Sequence, residues 1–446
     1  MSDILAMAQR VADQAKPGEQ IEAMVSTGRR TTVRAYQGEV EELTSAGSAG
    51  IGIRVVRDGR QGFAYAGSLD ADVIAETLAE ARDNVQFAEV DEFNGLALPD
   101  GVTPVDLDLY REELVCFDPQ RKVELALELE RLTLSVDPRV KGVRVASFSD
   151  TVGEGAVATS TGLAASGRGT FCYVSVSPLA DDGDKTQIGY GFDVSRDPNL
   201  LDLGKAAREA VERTVRMIGA TKPASRKLTV VLTAEVAADF FAIIGSMLGG
   251  DVVVKGRSPF ADRLGDVIAS PKVSLLDDPT NPLSFGADAV DGEGLATRRN
   301  VLIDSGRLNA FVHNSYTARR MNTVSTGSAV RGYSSTPSVG CMAMAIAPGT
   351  ISTPDLYKFV GDGILVQSVS GLHSGVNPIS GDFSVGVEGV MIRGGELGEA
   401  VREATIASTL QRMLLDITAV SSEVEWLPGG DAAAPIAISD ISLSGA

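Results

Sequence analysis

AGIGIRVVRDGRQGFAYAG, Ala49 to Gly67, carries two runs of strand-favouring residues that break at Asp58-Gly59. Asp-Gly suits the tight two-residue turn of a β-hairpin, so the segment reads as one. Just upstream, TTVRAYQGEVEELTSAG, Thr31 to Gly47, breaks in the same way at Gln37-Gly38. Together the two predict an antiparallel meander.

Working outward, MSDILAMAQRVADQAK spaces Ile4, Ala8, Val11 and Ala15 as the inner face of an amphipathic helix. On the other side, SLDADVIAETLAEARDNVQF places Ile74, Leu78, Ala81 and Val85 on one helical face, with Ser68 or Asp70 as cap. DPQRKVELALELERLTLSV repeats the pattern with Leu125, Leu129, Leu132 and Val136. A long loop, EVDEFNGLALPDGVTPVDLDLY, separates these helices. Three or four strands are expected over 142–193, then a helix over 201–219 with Ala207, Val211, Val215 and Ile218 inward.

GATKPASRK, residues 219–227, is small, polar and contains proline, which is the character of a linker. It divides the chain into residues 1–222 and 223–446. The second part opens with a strand over 228–233 and a helix at TAEVAADFF, and is then rich in Gly, Ser and Thr between short apolar runs. Its tail, APIAISDISLSGA, reads as a final strand closing a sheet. Helices and strands mix without regular βαβ alternation, which places the chain in the α+β class. An antiparallel sheet with packed helices is expected first, then a mainly β part opening with a strand and a buried helix.

The 59 acids outnumber the 40 bases, for a formal charge of −19. The nearest approach to a basic patch is TRR at 297–299 with ARR at 318–320, too little for a phosphate-binding surface, and nucleic acid is not an expected partner. Three scattered cysteines, Cys116, Cys172 and Cys341, fit a reducing compartment better than a disulfide framework. The N-terminus has no basic region followed by an apolar core, and no apolar run reaches the ~18 residues of a membrane span. A cytoplasmic location is expected, with no membrane partner.

Catalytic motifs are sparse. The two histidines, His313 and His373, have no second His or Cys nearby, so zinc held by them with Cys341 has no support from spacing. There is no GxSxG, and Cys172 and Cys341 read as strand residues in apolar surroundings, Cys172 in mid-strand and Cys341 at a strand's start. GxxxxGK[ST] and a strand-to-helix GxGxxG are absent.

At LTAEVAADFF the chain resembles the TldD/PmbA family, once called modulators of DNA gyrase. GIGIRVVRDGRQGFAY, DAVDGEGLATRRNVLIDSGRL, HNSYTARRMNTVSTGSA, GVNPISGDFSVGVEGVMIRGGEL and VREATIASTLQRMLLDI carry the resemblance across nearly the whole chain. In the catalytic TldD branch this helix bears HExxxH, whose histidines bind zinc while the Glu is the general base, and a distal Cys completes the ligands. Here the motif reads AEVAAD: Ala234 replaces the first His, Glu235 keeps the Glu position and Asp239 replaces the second His. No Cys follows Cys341. Positions five apart lie about 140° apart on a regular helix, a further obstacle to convergence.

The resemblance therefore implies the TldE (PmbA) branch. That is a non-catalytic subunit without its own cofactor, paired with a TldD-like chain that carries the zinc. Short or unfolded peptides, leader peptides among them, are the implied substrates. A homodimeric peptide-binding scaffold stays open as an alternative, as does a hydrolase built from Glu235, Asp239 and His313 or His373. Arg298, Arg299, Arg319 and Arg320 are candidates for capturing peptide carboxylates or pairing across an interface, or for salt bridges with the surplus acids. Asn377 and Asp382 shape either the chamber wall or a turn.

Overall fold

The computed structural model describes residues 3–183 and 185–445. Helix α1 (Asp3–Ala12) leads into β1 (Glu19–Tyr36), β2 (Glu39–Arg57) and β3 (Arg60–Ala66). Both connecting turns have two residues at positive φ: 54° and 77° at Gln37 and Gly38, 51° and 72° at Asp58 and Gly59. That backbone matches the right-handed twist of the flanking strands, which is why these dipeptides were readable. Helices α2 (Ala71–Asn84), α3 (Glu112–Val115) and α4 (Pro119–Val136) follow. Then come β4 (Val140–Thr159), β5 (Ala164–Asp182), β6 (Lys185–Ile188), β7 (Gly191–Ser195) and α5 (Leu203–Arg216). The strands form one antiparallel sheet in the order β3-β2-β1-β4-β5-β6, with β7 also on β5.

The two faces of this sheet have different tasks. Odd-numbered positions of β1 face the helices. Ile21, Ala23 and Val25 pack with α1 and α2, and Val33 and Ala35 with α4 and α5. Even-numbered positions face the C-terminal half, and two neighbouring rows on that face are almost free of side chains. In one, Gly50, Ser26, Gly155 and Gly167 are in register; in the next, Ser48, Gly28, Gly153 and Gly169. None of these glycines has positive φ. Glycine in a strand interior costs about 0.5–1 kcal/mol relative to alanine, so each needs a reason.

Some details of the helices differ from expectation. Ala15 lies beyond the end of α1, where Ala12 takes the buried place. Asp70 is the N-cap of α2, but its side chain makes no cap bond; its Oδ2 accepts from Ser68 Oγ at 2.9 Å. Val136 of α4 is exposed and Thr133 is buried. In α5 Ala207 and Val211 are buried as expected, together with Ala206, Ala210 and Thr214, while Val215 and, beyond the helix end at Arg216, Ile218 are only half-buried. The cause is close approach: Cβ atoms at Gly189 and Gly191 would collide with Ala206, Ala210 and Thr214, so only small residues fit there.

The C-terminal half opens with β8 (Arg226–Leu232), α6 (Ala234–Met247) and α7 (Gly250–Val254). Short strands β9 (Leu275–Asp277), β10 (Asn300–Asp304) and β11 (Arg307–Leu308) precede α8 (Ser315–Arg320). Next are β12 (Ala329–Val330), β13 (Ser338–Val339), β14 (Met344–Ile346) and α9 (Thr353–Val360). Then follow β15 (Gly363–Ser370), α10 (Leu372–Gly375), β16 (Asp382–Arg393) and β17 (Glu396–Thr409). The chain ends with α11 (Leu410–Leu415), β18 (Ile417–Val420), β19 (Glu425–Trp426), β20 (Ala432–Ala433) and β21 (Ile436–Ser444).

Strands β17, β16, β15, β8 and β21 pair in that order, and β21 returns to pair with β17, closing a barrel. β21 is thus the closing strand expected from the tail sequence. Beside the barrel a second sheet runs β11-β10-β9-β14-β20-β19. The core between them takes Val236, Phe240, Phe241 and Ile244 from α6. Cys172 is buried in mid-strand, as expected. Cys341 precedes β14 by three residues instead of starting it, because Asp277 Oδ1 takes the N–H groups of Met342 and Ala343, each at 2.8 Å. Among the described residues no helix is long and apolar enough to cross a membrane.

Candidate functional site

Strand β8 hands over to α6 at Thr233, an extended N-cap whose side chain makes no cap bond. Ala234 is buried and has no donor atom to offer. Glu235 is partly exposed, and its Oε1 lies 2.6 Å from Nη2 of Arg213 on α5. Nη1 of Arg213 donates to the Tyr190 carbonyl at 3.1 Å, which fixes the guanidinium in place. The carboxylate at the position of the catalytic branch's general base is therefore paired with a cation from the other half of the chain.

Asp239 is exposed on the same helix, so the helix as a whole is buried but this acid is not. Partial desolvation of its carboxyl and the nearby Glu235 charge raise its pKa above the usual range. Several acids close by are raised as well. Burial does this to Glu209, Glu425 and Asp431, with Glu235 adding to the first two and Asp239 to the third. Asp277 is pushed up to about 6 by burial.

The remaining candidate ligands lie elsewhere. His313 sits against Gly250, beyond the far end of α6, with Nδ1 3.2 Å from Thr317 Oγ1. Burial lowers its pKa, which keeps the ring neutral. Cys341 Sγ would be 3.4 Å from a Cβ placed on Gly245, also near that far end, and burial pushes its thiol up. His373 is exposed on α10. Among the described residues no group of three or more His, Cys, Asp or Glu side chains is arranged to hold a metal ion. A zinc centre takes three protein ligands converging on one point. The donors on and around α6 do not fit one.

Three of the four candidate arginines, Arg298, Arg319 and Arg320, join the two halves, while Arg299 pairs within the C-terminal half. Arg298 Nη1 donates to the Ser325 carbonyl at 2.6 Å, and its Nη2 pairs with Asp100. Arg299 lies 3.7 Å from Asp278. Arg319 donates to three carbonyls of the loop after α2: Phe93 at 2.7 Å, Gly95 at 2.9 Å and Leu96 at 3.4 Å. Arg320 donates to Tyr316 Oη at 3.0 Å and stacks over Phe93. Asn377 Oδ1 accepts from the backbone of Ile379 and Ser380, and Asp382 accepts from Ser380 Oγ at 2.6 Å, so both sit in one exposed turn.

Two features escaped the sequence. One is the Arg213–Glu235 pair. The other is a buried ionic cluster between the halves. Arg54 holds Glu22 with Nε at 3.0 Å and Nη2 at 2.8 Å, and Glu22 Oε1 accepts from Arg331 at 2.5 Å. Arg54 also reaches Glu293, which accepts from Ser315 N at 2.8 Å and Oγ at 2.6 Å. Asp291, beside this cluster, takes the N–H groups of Glu293, Leu295 and Ala329, while burial and the Glu293 charge push its pKa up to about 7. Arg54 inside the apolar run IGIRVV was the available signal.

Family models of the PmbA/TldA metallopeptidases match three stretches in order: domain 1 over residues 21–85, the central domain over 112–218 and the C-terminal domain over 225–445. The metalloprotease PmbA of Escherichia coli O157:H7 is 26% identical over 429 residues, covering 95% of this chain and 92% of its own. A metalloprotease of Methanocaldococcus jannaschii is 25% identical, covering 92% of each. A putative modulator of DNA gyrase from Thermotoga maritima superposes with a TM-score of 0.91 at 23% identity, over 99% of this chain and 100% of that one. TldE from Thermococcus kodakarensis gives a TM-score of 0.90 at 24% identity, over 99% of both chains. With its three domain models matched in sequence order, the chain belongs to the PmbA/TldD family of metallopeptidases.

Proposed function

We propose that this chain is the non-catalytic, TldE-like subunit of a metallopeptidase that acts on short or unfolded peptides. In this reading a TldD-like partner supplies the zinc and the general base. One observation carries it. Where a catalytic helix needs two histidines and a free carboxylate, this helix offers Ala234, an exposed Asp239 and a Glu235 paired with Arg213. A carboxylate turned to a guanidinium is not placed to take a proton from a metal-bound water, the geometry that general-base work requires. The chain then contributes by enclosing and positioning peptide, with cleavage on the partner.

Elemental analysis tests the reading on the purified chain alone and after co-purification with a TldD-type chain. The expected result is no bound zinc alone and about one zinc per pair, following the metal content of a single catalytic site. One tightly held zinc on this chain by itself would overturn the assignment. A stable homodimer that ignores the TldD-type chain would favour the peptide-binding scaffold instead.

A further inference from the structure

Arg168 carries a guanidinium whose N–H groups the fold does not use. It lies on β5 where that strand forms the edge of the sheet, since β6 and β7 pair with β5 only within residues 172–182. Its Cζ sits 4.0 Å from the centre of the Tyr110 ring. Among the described residues the guanidinium makes no hydrogen bond and no ion pair. Glu154 is directly across from it in register on β4, yet the arginine turns to the ring instead. A guanidinium resting on an aromatic ring keeps its N–H edges available, and an edge with two N–H groups matches a carboxylate bidentately.

The ring under the guanidinium is fixed in place. Leu109 O accepts from Thr170 N at 2.9 Å and Arg111 N donates to Thr170 Oγ1 at 2.9 Å, so both chain neighbours of Tyr110 are fastened to β5. Arg168 lines two cavities. One is a cleft of about 800 Å³ that reaches Phe285 and Asp288 of the C-terminal half, and the other a groove of about 550 Å³ beside Val115. The other two arginines lining them give N–H groups to backbone carbonyls: Arg196 to Leu109, Thr170 and Ser284, and Arg29 to Val115 at 3.1 Å. Among the acids of the cleft, Asp108 pairs with Arg111 at 2.7 Å, and burial of Asp288 raises its pKa, which works against its charged form. Glu154 and Asp106 are left to oppose an incoming anion.

We propose that Arg168, held on Tyr110, receives a carboxylate of a peptide lying in this cleft, from its C-terminus or from an acidic side chain. The proposal rests on the peptide-handling role above and assigns recognition of peptide charge to this chain. Contact with the ring orients the guanidinium before the ligand arrives, so less side-chain freedom is lost on binding. Glu154 limits the affinity, because it repels the anion that the arginine attracts.

Isothermal titration calorimetry tests it with the purified chain and no catalytic partner. The titrants are a short unstructured peptide without acidic residues and with a free C-terminus, the same peptide as its C-terminal amide, and the amide carrying one glutamate. At least one carboxylate peptide should bind about tenfold more tightly than the plain amide, the scale of a charge-assisted pair. The tighter of the two identifies the source of the carboxylate. The formal charge of −19 by itself predicts the reverse order. Arg168→Gln should abolish the preference and, because the residue is exposed, keep the melting temperature. Glu154→Gln should strengthen carboxylate binding about threefold by removing the opposing charge. Sodium acetate at the peptide's concentration should not displace it. Equal affinity for all three peptides, no binding, a preference that survives Arg168→Gln, or displacement by acetate would overturn the proposal. Zinc content and partner pairing are read separately, so either result stands apart from the subunit assignment.

Discussion

Glu235 keeps its place at the start of a helix after a strand, but its partner is an arginine. Its side chain and that of Arg213 are each 25% exposed, between a surface pair and a buried one. Arg213→Ala should cost about 1–2 kcal/mol in denaturant unfolding, since it strands a half-buried carboxylate. Glu235→Gln should leave the peptidase activity of the co-purified pair within about twofold, because in the proposed division of labour the proton transfers take place on the partner chain. Activity falling to background would show that Glu235 acts in catalysis.

Asp291 makes a second claim at this scale. Its pKa is about 7 in the folded chain against 3.8 for the ordinary carboxyl. Between those values the folded state holds a proton that the unfolded state has released, so this group's contribution to stability falls as pH rises from about 4 to about 7 and is flat above. Asp291→Asn removes the titration and, by misplacing an N–H against Ala329, also lowers stability throughout. The stability gap between native chain and variant should therefore narrow across that window. A gap that widens with pH would contradict the assigned direction.

At the scale of elements, glycines in one sheet divide into those that packing requires and those it does not. Gly52→Ala would drive a methyl into the Tyr333 carbonyl and should cost about 1–3 kcal/mol. Gly155→Ala has open space and should gain about 0.5–1 kcal/mol. Thermal melts of the two variants check both signs. The hairpins of this sheet were legible because each turn is decided by two adjacent residues. The inward face of α5 was legible only in part: Ala207 and Val211 are buried, but Gly189, just before β7, and Gly191, its first residue, bring Ala206, Ala210 and Thr214 against the sheet in place of the larger Val215 and Ile218.

At the scale of the whole molecule, the two halves meet through charges out of contact with water. Glu22 is fully buried and balances both Arg54 and Arg331. Its carboxyl is held below the usual range by the two guanidiniums in spite of the burial that opposes them. Glu22→Gln leaves two buried cations facing Glu293 alone, and should cost about 3–5 kcal/mol. Calorimetry should then show the halves melting in separate transitions. One cooperative transition at the native temperature would show that the cluster does not couple them.

Sequence by itself determined the α+β class, the strand-to-helix junction at Thr233, and the closing role of the last strand. It also established that the helix after the junction lacks two histidines. These properties follow from turn chemistry, periodicity and residue identity, which act over a few neighbours. The Arg213–Glu235 pair, the buried Glu22–Arg54–Glu293–Arg331 cluster and the side-chain-free rows of the sheet were decided by tertiary structure alone. Each joins residues on separate segments of the chain, the most distant being Arg331 and Glu22 of the cluster, 309 positions apart. Spacing along the chain carries no record of which burial will force such charges together, or of which strand register will align such glycines.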